Sequence, residues 1–136
     1  MANLESPVPQ PADVFQRQPA SAPMLEHLEI SGPHSLRCRL QVPDRLAIFA
    51  DHFPTIPIVP AVLQIGWVVD LARGCLQVTG PFQGVLVAKF RRLIRPGMVL
   101  DVSLEHRPDP GQVRFNFAVD GLTVSSGRLS FGRVGD

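Results

Sequence analysis

Cysteine is scarce in this chain: Cys38 and Cys75 are the only two in 136 residues. That excludes a disulfide scaffold, and their separation fits no zinc-finger spacing. Net charge is nearly absent as well. Thirteen Lys and Arg face twelve Asp and Glu, for a formal +1, which argues against a nucleic-acid binder working through a broad basic field. Long apolar runs are missing. The longest, residues 56–72, is broken by Gln64, Gly66, Asp70 and two prolines, so no membrane span is expected. No basic segment followed by an apolar one opens the sequence, and the expected location is the cytoplasm, with both thiols reduced. His27, His34 and His106 show no ligand spacing with one another or with Cys38, so no metal site is expected. There is no phosphate-cradling Gly loop, no Ser-nucleophile motif and no internal repeat.

What is present is apolar enough to fold: 45% hydrophobic and 18% charged residues. Residues 1–23 hold five of the 14 prolines among Ser, Ala and Gln. They read as a flexible or loosely docked tail, with little apolar surface to offset the entropy of ordering. Residues 24–136 read as one folded domain. A short strand is expected over 25–30. Over 35–42, Leu36, Cys38, Leu40 and Val42 alternate with polar residues, the period of a half-buried strand. A helix is expected from 60 or 61 to 76, with apolar residues on every side and therefore burial nearly all round. Strands are expected over 84–94, 99–106, 112–119 and 122–131, the last two joined by Asp120-Gly121, a preferred hairpin dipeptide. One helix and a meander of strands make an α+β layer solution, in which a curved antiparallel sheet wraps the helix. Its free edges would then be covered by a second copy of the chain.

The chemistry concentrates in Asp51-His-Phe-Pro-Thr-Ile-Pro-Ile-Val-Pro-Ala-Val-Leu-Gln64. Prolines 54, 57 and 60 fix φ and stiffen the segment. His52 is thereby held just before a helix N-terminus, whose unpaired N–H groups and positive dipole end favour an anion. A base beside an anion-stabilising terminus is the minimum equipment for enolate chemistry. A structural histidine is the plain alternative.

The residues His52-Phe53-Pro54-x-x-Pro57-Ile58-x-Pro60-x-Val62-Leu63-Gln64 resemble the active-site loop and central helix of the β-hydroxyacyl-acyl carrier protein dehydratases, the FabZ and FabA group of the hotdog fold. A second block, Ala88-Lys89-Phe90-Arg91-Arg92 with Pro96-Gly97, is similar to that family's strand after the central helix. The run Leu46-Ala-Ile-Phe-Ala-Asp-His-Phe-Pro54 and Leu63-Gln-Ile-Gly-Trp67 are more similar to the ApeI-like branch, linked to aryl polyene and related lipid assembly. The resemblance implies a hotdog fold and a 3-hydroxyacyl-[acyl carrier protein] dehydratase forming trans-2-enoyl or polyenoyl thioesters. It implies no cofactor, because the substrate rides on the phosphopantetheine of an acyl carrier protein. It also implies a homodimer or higher oligomer. His52 matches the catalytic histidine. The Ala61 N–H would hold the thioester oxygen, and Phe53, Val62, Gly66 and Trp67 would border the substrate.

One departure matters. The family's helix carboxylate, fourteen residues after the histidine, falls here on Gly66. Asp70, one helical turn on, is the nearest candidate acid. Its plain alternative is an ion pair with Arg73, and His52 acting alone as base and acid is another route. Trp67 is either core packing or a substrate wall. Lys89, Arg91, Arg92 and Arg95 form a local basic cluster that suits an acidic carrier protein, or else an ordinary solvated strand edge. Two further readings stay open: a non-catalytic carrier-binding subunit of a heteromeric dehydratase, which the missing carboxylate favours, and a hotdog thioesterase.

Overall fold

The computed structural model describes residues 14–15, 21–44 and 58–133. Six strands and one long helix follow one another as β1 (Met24–Ser31), β2 (Ser35–Gln41), α1 (Ala61–Cys75), β3 (Phe82–Phe90), β4 (Val99–Arg107), β5 (Gln112–Val119) and β6 (Leu122–Phe131). The strands form one antiparallel sheet in the order β1-β2-β4-β5-β6-β3. Period-2 alternation puts Leu36, Cys38 and Leu40 of β2, Leu100, Val102 and Leu104 of β4, and Val113, Phe115 and Phe117 of β5 on the inner face, all buried. The β5–β6 hairpin turns at Asp120 (φ 50°) and Gly121 (φ 81°), the double left-handed conformation of a type I′ turn.

Helix α1 fills the hollow of the sheet with Leu63, Trp67, Val68, Leu71 and Ala72 in the common core. It has no side-chain N-cap and no acidic residue in its first turn. A cap is worth about 1 kcal/mol, whereas each buried large side chain contributes about 1.5–3 kcal/mol, so burial rather than capping holds this helix. Burial is not uniform: Ala61 and Val62 in the first turn and Arg73 and Gly74 near the end are exposed. The all-round apolar pattern predicted more cover than one sheet supplies.

The Pro-rich segment is anchored at two places. Val14 and Phe15 are buried in the core, and Ser21 is buried beside α1. Among the described residues no helix is long and apolar enough to cross a membrane.

Candidate active site at the start of the central helix

Pro60 precedes α1 with extended backbone (φ −66°, ψ 156°), as its ring and the N-cap position both require. Its carbonyl accepts from the N–H groups of Leu63 and Gln64, each at 3.1 Å. The N–H groups of Ala61 and Val62 have no acceptor among the described residues. The positive end of the helix dipole therefore opens outward at these two residues.

The approach to the helix is clamped. Val59 N–H donates to the Ile94 carbonyl at 2.8 Å, and Gln64 Nε2 donates to the Val59 carbonyl at 3.1 Å. Gln64 Oε1 in turn accepts from Ser125 Oγ on β6 at 2.7 Å. Gln64 and Ser125 are both buried, so this polar chain runs through the core with its groups satisfied. In the sequence Gln64 is an interruption in an apolar helix and a residue of the family motif, and nothing there singles out Ser125. A lone amide on a buried helix was the available signal; its partner depends on the strand register.

Val62, Gly66, Asp70 and Gly74 lie four apart on one line of the helix surface. A cavity of about 200 Å³ rests against the first three, bounded also by Leu63, Trp67, Phe82 of β3 and Phe15. At Gly66 an added Cβ would meet no packed neighbour within 4 Å among the described residues. Asp70 is the only buried carboxylate among the described residues, at 6% exposure. It does not pair with Arg73, whose guanidinium lies over the Phe131 ring, 5.7 Å from the centroid. Trp67 is core, and its Nε1 donates to the Ser21 carbonyl at 3.3 Å; its side chain also borders the cavity. Thus Val62, Gly66, Trp67 and Asp70 come together around one space, with Ala61 at the exposed helix start. His52 and Phe53 lie outside the described residues.

The basic cluster divides. Lys89 and Arg91 border a wide polar trough of about 1110 Å³ on the outer face of the sheet, together with Arg37, Arg114 and Arg128. None of these five makes an ion pair among the described residues. Arg92 and Arg95 are exposed in the β3–β4 connection, away from that trough. Register explains the grouping: Arg37, Ser103, Asn116, Ser126 and Lys89 form one row across neighbouring strands, and Glu105, Arg114 and Arg128 belong to the next.

Neither cysteine is an activated nucleophile. Burial, with a smaller effect of the nearby Cys75 thiol, pushes Cys38 up to about 12, and burial pushes Cys75 up to about 11. Among the described residues no group of three or more His, Cys, Asp or Glu side chains is placed to hold a metal ion.

A six-stranded antiparallel sheet curved around one central helix is the hotdog fold. The sequence matches the family described as ApeI-like, ApeI dehydratase, over residues 29–128, and the chain belongs to that family. It is 30% identical over 113 residues to the 3-hydroxyacyl-[acyl-carrier-protein] dehydratase FabZ of Levilactobacillus brevis, covering 76% of each protein. Among solved structures it is similar to a chain of the dehydratase heterocomplex ApeI:P from Xenorhabdus doucetiae. The TM-score is 0.76 at 28% identity, over 82% of this chain and 98% of that one. An uncharacterized protein from Erwinia carotovora subsp. atroseptica shares the fold, with TM-score 0.74 at 24% identity over 84% of this chain and 98% of that one.

Proposed function

We propose that this chain is a 3-hydroxyacyl-[acyl carrier protein] dehydratase, acting in the cytoplasm on substrates tethered to phosphopantetheine and needing no cofactor of its own. One observation carries the reading within a dehydratase family: an apolar cavity beside an uncapped helix start, with a buried carboxylate at its side. His52 takes the Cα proton of the 3-hydroxyacyl thioester. The electron pair moves onto the thioester oxygen, which the Ala61 N–H receives; one such donor is worth roughly 3 kcal/mol in the transition state. The enolate then expels the β-hydroxyl, which leaves as water on taking a proton from Asp70 or back from His52. Phe53, Val62, Gly66 and Trp67 border the acyl chain. The space left by Gly66 admits a flat conjugated chain, which supports an enoyl or polyenoyl product of the aryl polyene type.

The edge strand β3 exposes Val85, Leu86 and Phe90, an apolar edge of the kind that pairs with another sheet. We take it as the subunit contact, in a homodimer or with a different hotdog subunit. Lys89 and Arg91 beside that edge, with Arg92 and Arg95, form the docking surface for the acidic carrier protein.

A second reading has its own observation. Gly66 stands where the dehydratase family carries its acid, and a similar chain is part of a dehydratase heterocomplex. A non-catalytic carrier-binding subunit would fit both. Intact-mass measurement of a 3-hydroxyacyl carrier protein decides. Loss of one water with the wild-type chain, abolished by His52→Ala, is expected. An unchanged mass with retained carrier binding overturns catalysis by the lone chain, and release of free acid identifies a thioesterase.

A further inference from the structure

We infer that Phe15 of the N-terminal segment is a specificity-determining residue, the wall that limits how long an acyl chain the cavity beside Gly66 accepts. The inference rests on the proposed function for the identity of the ligand, and on the position of Phe15 for the wall. Phe15 is 1% exposed and borders the cavity across from α1.

The segment carrying it is fastened to the helix on both sides of that ring. On one side, Val14 lies against Gly74, where an added Cβ would sit 3.5 Å from Val14 Cγ1. On the other, the Ser21 carbonyl receives the Trp67 indole N–H at 3.3 Å. The helix line explains the direction. Val62 is 75% exposed at the open N-terminal end, Gly66 and Asp70 follow along the cavity, and Gly74 is met by Val14. With about 1.5 Å per residue, the line from Val62 to Gly74 is about 18 Å long. An acyl chain entering at the helix start and following the bare position at Gly66 therefore runs toward Val14 and Phe15. The cavity of about 200 Å³ has room for about seven water-sized groups. A longer chain has to displace the Phe15 ring.

The test uses the full chain with Phe15→Ala, Phe15→Leu and Phe15→Trp. Two readouts run together. The first is kcat/KM on a carrier-bound 3-hydroxyacyl series of increasing length. The second needs no catalysis: energy transfer from Trp67, the only tryptophan, to a conjugated tetraene fatty acid. Opening the wall should raise the long-to-short kcat/KM ratio roughly tenfold and tighten tetraene binding, while Phe15→Trp, which adds a second indole and is read by kinetics alone, should lower the ratio. Phe15→Leu carries the same test if the alanine variant unfolds. An unchanged length ratio and unchanged tetraene affinity in folded variants overturn the wall. If the wild type dehydrates nothing, the proposed function fails and the tetraene titration alone decides: tighter binding in Phe15→Leu supports the wall, and equal binding overturns it.

Discussion

Ser125 Oγ donates to Gln64 Oε1 at 2.7 Å, a buried bond between the last strand and the first turns of the central helix. Because Gln64 also donates to the Val59 carbonyl, the bond helps hold the stretch that leads from the His52 segment into the helix. Removing the hydroxyl leaves a buried acceptor short of a donor, which costs about 1–3 kcal/mol. Ser125→Ala should therefore lower the urea midpoint by that equivalent. Ser125→Ala combined with Gln64→Leu should cost less than the two single changes added, because the pair is then removed together. Strict additivity in denaturant titrations would show that the bond carries no energy.

The inner faces of β2, β4 and β5 are readable from sequence because one side of each strand is buried and the other wet, and period-2 alternation records that difference. The asymmetry weakens at β3, an edge strand broken by irregularities near Gly84 and Val87, and the expected span of 84–94 begins two residues late and runs four too far. Phe15 was not legible at all. It sits beside Val14 in a Pro-rich stretch without periodicity, and its burial depends on a helix over forty residues downstream. The outer trough was half legible: Lys89 and Arg91 are neighbours in sequence, but Arg37, Arg114 and Arg128 join them only through strand register. Asp70 was singled out by helical spacing, and the structure adds its burial and the cavity beside it.

Gly127 marks a close approach between strands. A Cβ there would collide with the Val87 carbonyl and lie 2.9 Å from the Phe115 ring. Backbone cannot yield as a flexible side chain does, and overpacking of this kind typically costs about 1–3 kcal/mol. Gly127→Ala should lower Tm markedly and, by disturbing the β3–β6 pairing, weaken any subunit contact along β3. Thermal unfolding together with gel filtration checks both effects.

Arg114 and Arg128 stand directly opposite each other on β5 and β6. Like charges in that relation repel, by roughly 0.2–1 kcal/mol, and an exposed pair belongs at the low end. Arg128→Ser should slightly stabilise the isolated protein at low salt and lose that advantage at high salt. If the trough helps attract the acidic carrier, the same variant should slow carrier association, with a shallower salt dependence. Stopped-flow binding at several ionic strengths separates the two effects.

His106 packs edge-on against His34, ring centroids 5.6 Å apart. Burial, and then the charge of His34, hold its imidazole below the ordinary value of 6.5. The folded state therefore binds fewer protons than the unfolded state in this range. Stability from this group is complete above about pH 6.5 and is lost as pH falls through the depressed value. His106→Gln should flatten the fall in Tm between about pH 7 and about pH 5. An unchanged slope would assign the acid sensitivity elsewhere.

Gly66 and Asp70 offer opposite tests of one proton transfer. A glutamate at position 66 starts from a Cβ that meets no packed neighbour within 4 Å among the described residues, and it would bring a carboxylate to the cavity that Gly66 borders. If Asp70 supplies the proton to the leaving hydroxyl, Asp70→Asn should lower kcat by roughly 100-fold or more with little change in KM. Gly66→Glu in that background should then recover part of the rate. If His52 both takes and returns the proton, Asp70→Asn leaves kcat nearly intact and Gly66→Glu serves only to narrow the cavity, lowering kcat/KM for long acyl chains more than for short ones. The kcat–KM split across the two variants and their combination distinguishes a displaced acid from a one-histidine elimination.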